Sequence, residues 1–254
     1  EEAAKEIRRA CTQLGAKGLG AGGSTFGGLE FDSREMDPVC EALCDLDLPM
    51  FVHGYNQSVT WGKNANSDRY ETTAIVGMNY DETKAFWYLV NGGVFDRFPK
   101  LKVYITHGGG FVPYQLGRLA QTNPNLDTFH NKKPVLDYLK NFYFDVELHE
   151  LPMRQALIDV IGADRILYGS NFGGSDAVRH DLTEGLRLSD ADLQKIRWGN
   201  ACELLHLDPA KVAQLQGWRH AVIALLGTGY SPQSLVANVI HGSLYFLPLY
   251  ILTM

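Results

Sequence analysis

The sequence predicts an α/β protein of the TIM-barrel-like (β/α)8 class, and three observations lead there. Short apolar runs alternate with amphipathic helical stretches through most of the chain. No strand is followed by a GxGxxG phosphate loop, which leaves a dinucleotide fold little support. His53, His107, Glu147 and Asn171 each fall at the end of a strand candidate. Alternation of this kind means parallel strands joined by right-handed crossovers. In a barrel of such units the C-terminal strand ends converge on one mouth, where catalytic groups are placed.

The elements follow in order. EEAAKEIRRACTQL is an amphipathic opening helix with mixed charge, and AKGLG (16–20) is a short strand. EMDPVCEALCDL (35–46) is a helix with Val39, Leu43 and Leu46 apolar, and PMFVHG (49–54) a buried strand. DETKAFWYLVNGG (81–93) is a helix closed by Asn91-Gly92-Gly93, since glycine accepts a left-handed C-cap. KVYITHGGG (102–110) is a strand and its exit, followed by helices over FVPYQLGRLAQ and PVLDYLK (134–140). NFYFDVE (141–147) is a strand, LPMRQALIDVIG (151–162) a helix stopped by Gly162, and RILYGSN (165–171) a fifth strand. SDADLQKIRWGNACELLHL (189–207) is a helix with Ser189 as N-cap and Asp192 near the capping-box position.

Composition narrows the function classes. A chain of 254 residues with 45% hydrophobic and 20% charged content is that of an ordinary globular protein. A net charge of −6 argues against nucleic acid or an anionic membrane as the main partner. Cys11, Cys40, Cys44 and Cys202 show no CxxC spacing, so they are expected to be reduced, in a cytoplasmic protein. Residues 217–254 form an atypical tail, poor in acidic residues and rich in aliphatics. Its apolar pieces are broken by Gly, Pro, Ser and His, short of the ~20 residues a membrane span needs. The tail either packs on the domain or did not evolve with it.

KVYITHGGG carries the most chemistry. Val103, Tyr104 and Ile105 are a buried-strand run, and three glycines remove every Cβ from its exit. The chain can then turn sharply, and something else can approach the backbone beside His107. An isolated histidine at a strand end is more often a hydrogen-bonded structural residue than a catalyst, so the rest of the sequence has to decide.

GGVFDRFPKLKVYITHGGGFVPYQLGRL, DVIGADRILYGSN and GNACELLHL together resemble the amidohydrolase-related family of the amidohydrolase superfamily. The subgroup they look like is that of aminocarboxymuconate semialdehyde decarboxylase-like enzymes. The resemblance covers residues 16–207 and excludes the tail. It implies a metal-dependent hydrolase fold with one divalent metal, usually zinc, at the barrel mouth. By this resemblance His53 matches a metal ligand and His107 the catalytic histidine. Arg118 in YQLGRL matches an arginine that binds a substrate carboxylate, in some members across a dimer interface, which makes a homodimer an expectation. Asn171 in YGSN falls at the position of an acidic metal ligand.

Elementary chemistry agrees with these roles. Neutral imidazole is a good zinc ligand, and an unligated histidine of ordinary pKa about 6.5 serves as acid or base. A guanidinium fork fits a carboxylate bidentately. Two departures stand out. No His-x-His pair precedes His53, so residues 1–216 are expected to be a partial barrel, strands 4 to 8, incomplete at the N-terminus. Asn171 is neutral where an anion is expected, and its amide neither offsets a cation's charge nor takes a proton. Glu147, ending the preceding strand candidate, either compensates for the missing anion or, as the leading reading, is a solvated loop carboxylate, and Asp145 is read as a strand-end aspartate bonded to backbone. Tyr55 and Trp61, in HGYNQSVTWG, either line a pocket and stack on a planar substrate or cover the barrel end.

The leading expectation is a metal-dependent carboxy-lyase removing CO2 from an unsaturated or aromatic carboxylic acid. The alternatives are a hydrolase or hydratase of the same family acting on aromatic ring-cleavage products, and an inactive barrel fragment. The expected partner is a small-molecule carboxylate, with no nucleic acid and no membrane span.

Overall fold

In the computed structural model, the structure describes residues 1–23, 29–54, 69–121, 128–171 and 180–212. Tyr55, Trp61 and the tail over 217–254 lie outside these residues.

Five parallel strands form one sheet in the order β1 (Leu19–Gly22), β2 (Met50–His53), β3 (Val103–Ile105), β4 (Phe142–Asp145) and β5 (Ile166–Leu167). Sequence order and spatial order coincide, and every pairing is parallel. A doubly wound sheet reverses its strand order at a switch point. This one does not, so its same-handed crossovers carry the helices to one face and leave the other as the lumen of a TIM-barrel-like arc.

The two faces have different chemistry because strand side chains alternate. Met50, Val52, Val103, Ile105, Phe142, Phe144 and Ile166 point outward into the main core. Val39 and Leu43 of α2 (Asp37–Leu46), Phe86 and Leu89 of α3 (Met78–Asn91), and Leu157 of α6 (Leu151–Ile161) pack against them. Phe51, Tyr104 and Tyr143 line the lumen in register, Phe51 meeting Tyr104 edge to face at 4.6 Å, and Leu167 joins the same apolar cluster opposite Asp145. Leu204 and Leu205 at the end of α8 (Asn200–Leu204) close this inner stripe. His206 donates from Nε2 to the Asp47 carbonyl, 2.8 Å away and just upstream of β2, so the closure is at the N-terminal end of the strands. The C-terminal ends are left for the site.

Most predicted elements are present, with informative differences. The opening helix is α1 (Glu2–Gln13), and Pro38 enters α2 in its first turn, where its missing N–H costs nothing. Gly93 (φ 67°) takes the left-handed conformation between α3 and α4 (Val94–Arg97), and Gly162 (φ 93°) stops α6. The first strand sits slightly later than AKGLG. Residues 18–23 do carry the GxGxxG spacing, but Gly18 precedes β1, Gly20 lies within it and Gly23 directly follows it, so the spacing does not begin after the strand. The expected helix over 111–121 is reduced to the 3-10 turn Pro113–Gln115 and α5 (Leu116–Leu119). Residues Val135–Asn141 are 3-10, and Asn141 holds them by donating to the Pro99 and Leu101 carbonyls at 3.0 and 2.9 Å. The last predicted helix begins as α7 (Asp190–Gln194), capped by Ser189, which accepts from Asp192 N–H at 3.1 Å. A π-turn over Lys195–Gly199 then separates α7 from α8.

Candidate active site

His53 is the last residue of β2, on the lumen face two residues beyond Phe51. Its Nδ1 donates to the Gly54 carbonyl at 2.6 Å, which assigns the lone pair to Nε2. A backbone carbonyl behind one ring nitrogen is the usual support of a metal-binding imidazole.

His107 begins the exit of β3, its ring centroid 4.8 Å from that of His53. Four consecutive residues, His107 to Gly110, have positive φ (51°, 65°, 82° and 60°). The glycines make this turn possible, but what approaches them is the protein itself. A Cβ on Gly108 would meet the Leu148 side chain at 2.9 Å, one on Gly110 the Asn79 carbonyl at 2.5 Å, and one on Gly109 the Phe144 ring. The space expected for a ligand is therefore filled by packing, and the glycines serve to aim His107.

Two buried acids hold the turn. Asp145, at the end of β4, accepts from Tyr104 hydroxyl at 2.7 Å, Gly108 N–H at 2.9 Å and Glu147 N–H at 3.1 Å. The backbone-bonded role expected of Asp145 is thus observed, and its burial raises its pKa above the usual carboxylate value. Glu82, fully buried on α3, accepts from His107 Nδ1 at 2.7 Å, so that this nitrogen carries the proton. Burial alone pulls the His107 pKa down. The charge and hydrogen bond of Glu82, with smaller contributions from Glu147 and Asp145, outweigh burial and raise it to about 10.

Glu147 is not the solvated carboxylate the sequence suggested. It is 5% exposed, and its Oε2 lies 3.9 Å from His107 Nε2. The backbone explains this: Val146 N–H continues the ladder to the Leu167 carbonyl at 3.1 Å, carrying Glu147 inward with the sheet. Glu82 was missed altogether, although one signal was legible. It stands on the same helical stripe as Ala85, Phe86, Leu89 and Val90, all fully buried.

Asn171 follows β5 with φ 49°, a left-handed conformation that asparagine tolerates. Arg118 is exposed on α5, and among the described residues its guanidinium makes no hydrogen bond or ion pair. Among the described residues no group of three or more His, Cys, Asp or Glu side chains is arranged to hold a metal. His53 is prepared as a ligand, but the described residues do not make a complete ligand set.

The family profile described as amidohydrolase matches residues 1–207. This chain belongs to the amidohydrolase family. The match begins before the resemblance at residue 16 and likewise ends at 207. The 2-amino-3-carboxymuconate-6-semialdehyde decarboxylase of Dictyostelium discoideum is 29% identical over 217 residues, covering 83% of this amidohydrolase and 59% of that protein. The 2-keto-4-carboxy-3-hexenedioate hydratase of Sphingobium sp. is 32% identical over 176 residues, covering 67% and 48%. A crystal structure of a dihydroxybenzoic acid decarboxylase from Polaromonas sp., with bound manganese and 2-nitroresorcinol, superposes with a TM-score of 0.66 at 26% identity. It is covered over 65% of its length by 80% of this chain. The amidohydrolase thus spans about three fifths of the length of the Dictyostelium relative, 59%. Among its described residues no helix is long and apolar enough to cross a membrane.

Proposed function

We propose that this amidohydrolase is the barrel arc of a metal-dependent carboxy-lyase acting on an unsaturated or aromatic carboxylic acid. The observation that carries the reading is the pairing of His107 with buried Glu82 at the mouth of the arc, Nδ1 to Oε1 at 2.7 Å. A histidine so paired is held protonated and has one nitrogen, Nε2, to offer a substrate. In the proposed step it delivers the Nε2 proton to the carbon bearing the carboxylate. The bond to the carboxyl carbon then breaks, CO2 leaves, and the bonding pair returns to the π system. Solvent restores the proton. The names of the Dictyostelium and Polaromonas relatives support the same class of reaction.

Site roles follow from this reading. His107 is the catalytic acid, and Arg118 binds a substrate carboxylate, with a homodimer supplying it across an interface. Tyr55 and Trp61 are proposed as stacking residues for a planar substrate. His53 and Asn171 are proposed as two ligands of a divalent metal, whose chemistry would be to orient the substrate carboxylate. Zinc suits a His53 imidazole, and manganese in the Polaromonas structure supports a divalent ion in this family. Four free cysteines support a reducing, cytoplasmic setting.

A second reading, a hydratase, has the Sphingobium relative and the buried Glu147 beside His107 in its favour. One assay separates the two. The chain is incubated with carboxyl-labelled hydroxybenzoates and unsaturated dicarboxylates, with zinc or manganese added. Labelled CO2 supports the lyase; a water adduct with the carboxyl retained supports the hydratase and overturns the lyase.

A further inference from the structure

One oxygen of Glu82 gathers three donors from two strand exits. Oε1 accepts from His107 Nδ1 at 2.7 Å, from Thr106 hydroxyl at 2.7 Å and from Gly54 N–H at 3.0 Å. The last bond matters because the same Gly54 residue accepts from His53 Nδ1 at 2.6 Å through its carbonyl. Both imidazoles are therefore tied at Nδ1, one directly and the other through a glycine whose N–H is itself fixed by the carboxylate. The glycine is required, since a Cβ at Gly54 would meet the Met78 backbone at 2.6 Å. The second oxygen, Oε2, is buried and has no hydrogen-bond partner among the described residues. A fully buried carboxylate in that condition is unfavourable unless a cation lies beside it.

We propose that Glu82 is the positioning residue of this site. It fixes the ring of His107 directly, anchors the Gly54 peptide that orients His53, and so turns both Nε2 atoms toward the mouth between β2 and β3. Glu82 touches neither substrate nor reacting atoms; it acts through the two histidines. Its place on α3 makes the device rigid, because Phe86, Leu89 and Val90 bury the same stripe in the core. The kinetic part of the test rests on the carboxy-lyase reading; the spectroscopic part does not.

The test uses the full chain labelled with 15N-histidine. A proton shared between Nδ1 and a buried carboxylate gives a low-field NMR resonance coupled to that nitrogen. It is expected in the unaltered chain, is assigned by its loss in His107→Asn, and should move upfield in Glu82→Gln while the amide spectrum stays native. In a chain that releases CO2, Glu82→Gln should lower kcat by ~10–100-fold, the usual worth of an orienting partner, with KM within about two-fold. Absence of the low-field proton from the unaltered chain, or its persistence unchanged in Glu82→Gln, overturns the proposal. If Glu82→Gln does not fold, the measurement on the unaltered chain with the His107→Asn control still decides. Failure to release CO2 with the low-field proton present would sink the lyase reading and leave the positioning role standing.

Discussion

The ring of Phe144 in β4 occupies the space that a side chain on Gly109 would need, so the turn behind His107 is packed directly on the sheet. Gly109 also has φ 82°, a conformation costing a non-glycine residue ~1–2 kcal/mol before any clash. Gly109→Ala should therefore destabilise the chain by at least ~2 kcal/mol. Gly108→Ala, which faces the movable Leu148 side chain at 2.9 Å, should cost less. Urea denaturation of both variants checks the order, and equal losses would show that packing on Phe144 is not what selects glycine.

His107→Asn keeps a polar side chain that tolerates positive φ, so the fold should survive. Turnover of a carboxylic acid substrate should fall by ~10²–10⁴, the usual worth of a positioned acid. Affinity for added zinc, read by titration calorimetry, should be unchanged. Loss of that affinity on this substitution would make His107 a ligand and remove it from the acid role.

Asn171→Asp restores an anion next to a proposed metal position. The dialysed chain should hold well under one zinc per molecule, and the Asp variant should bind zinc at least ~10-fold more tightly, since a carboxylate offsets the cation's charge where an amide does not. Titration calorimetry reads both. Unchanged affinity would mean that residue 171 does not face the ion.

Residues 217–254 lie beyond the family match, which ends at 207. Treated as separate from the barrel arc, they should be removable. A chain ending at residue 216 is expected to stay soluble and melt at the same temperature or higher. A lower melting temperature would show that the aliphatic tail completes the core.

Cys40 is buried in α2, and burial, with Asp37 nearby, pushes its thiol pKa to about 12. At pH 8 only about one in 10⁴ of these thiols is ionised, and the thiolate is the reactive form. Half-buried Cys11 and Cys44 should therefore react with a disulfide reagent first. Cys40 should become available only on unfolding, and prompt modification of it in the native chain would mean that α2 opens locally.

The sequence by itself determined the alternation of strands and helices, the Ser189 cap, the glycine stops at 93 and 162, and His53 and His107 at strand exits. These depend on local patterning: buried parallel strands read as apolar runs, and a cap needs only its own hydroxyl and the N–H three residues on. Asp145 was legible for a similar reason, because a strand-end carboxylate finds backbone donors nearby. The 3-10 segment Val135–Asn141 was not, since the carbonyls that Asn141 holds belong to residues 99 and 101. Only the tertiary structure decided what surrounds His107. Glu82 and His107 are 25 residues apart, and they meet because α3 packs its apolar stripe on the sheet with the Glu82 carboxylate standing in that stripe. Glu147 turned inward because the sheet ladder continues one residue past β4. Periodicity tells which face of an element is buried, but which groups then face one another is set by the packing of one element on the next.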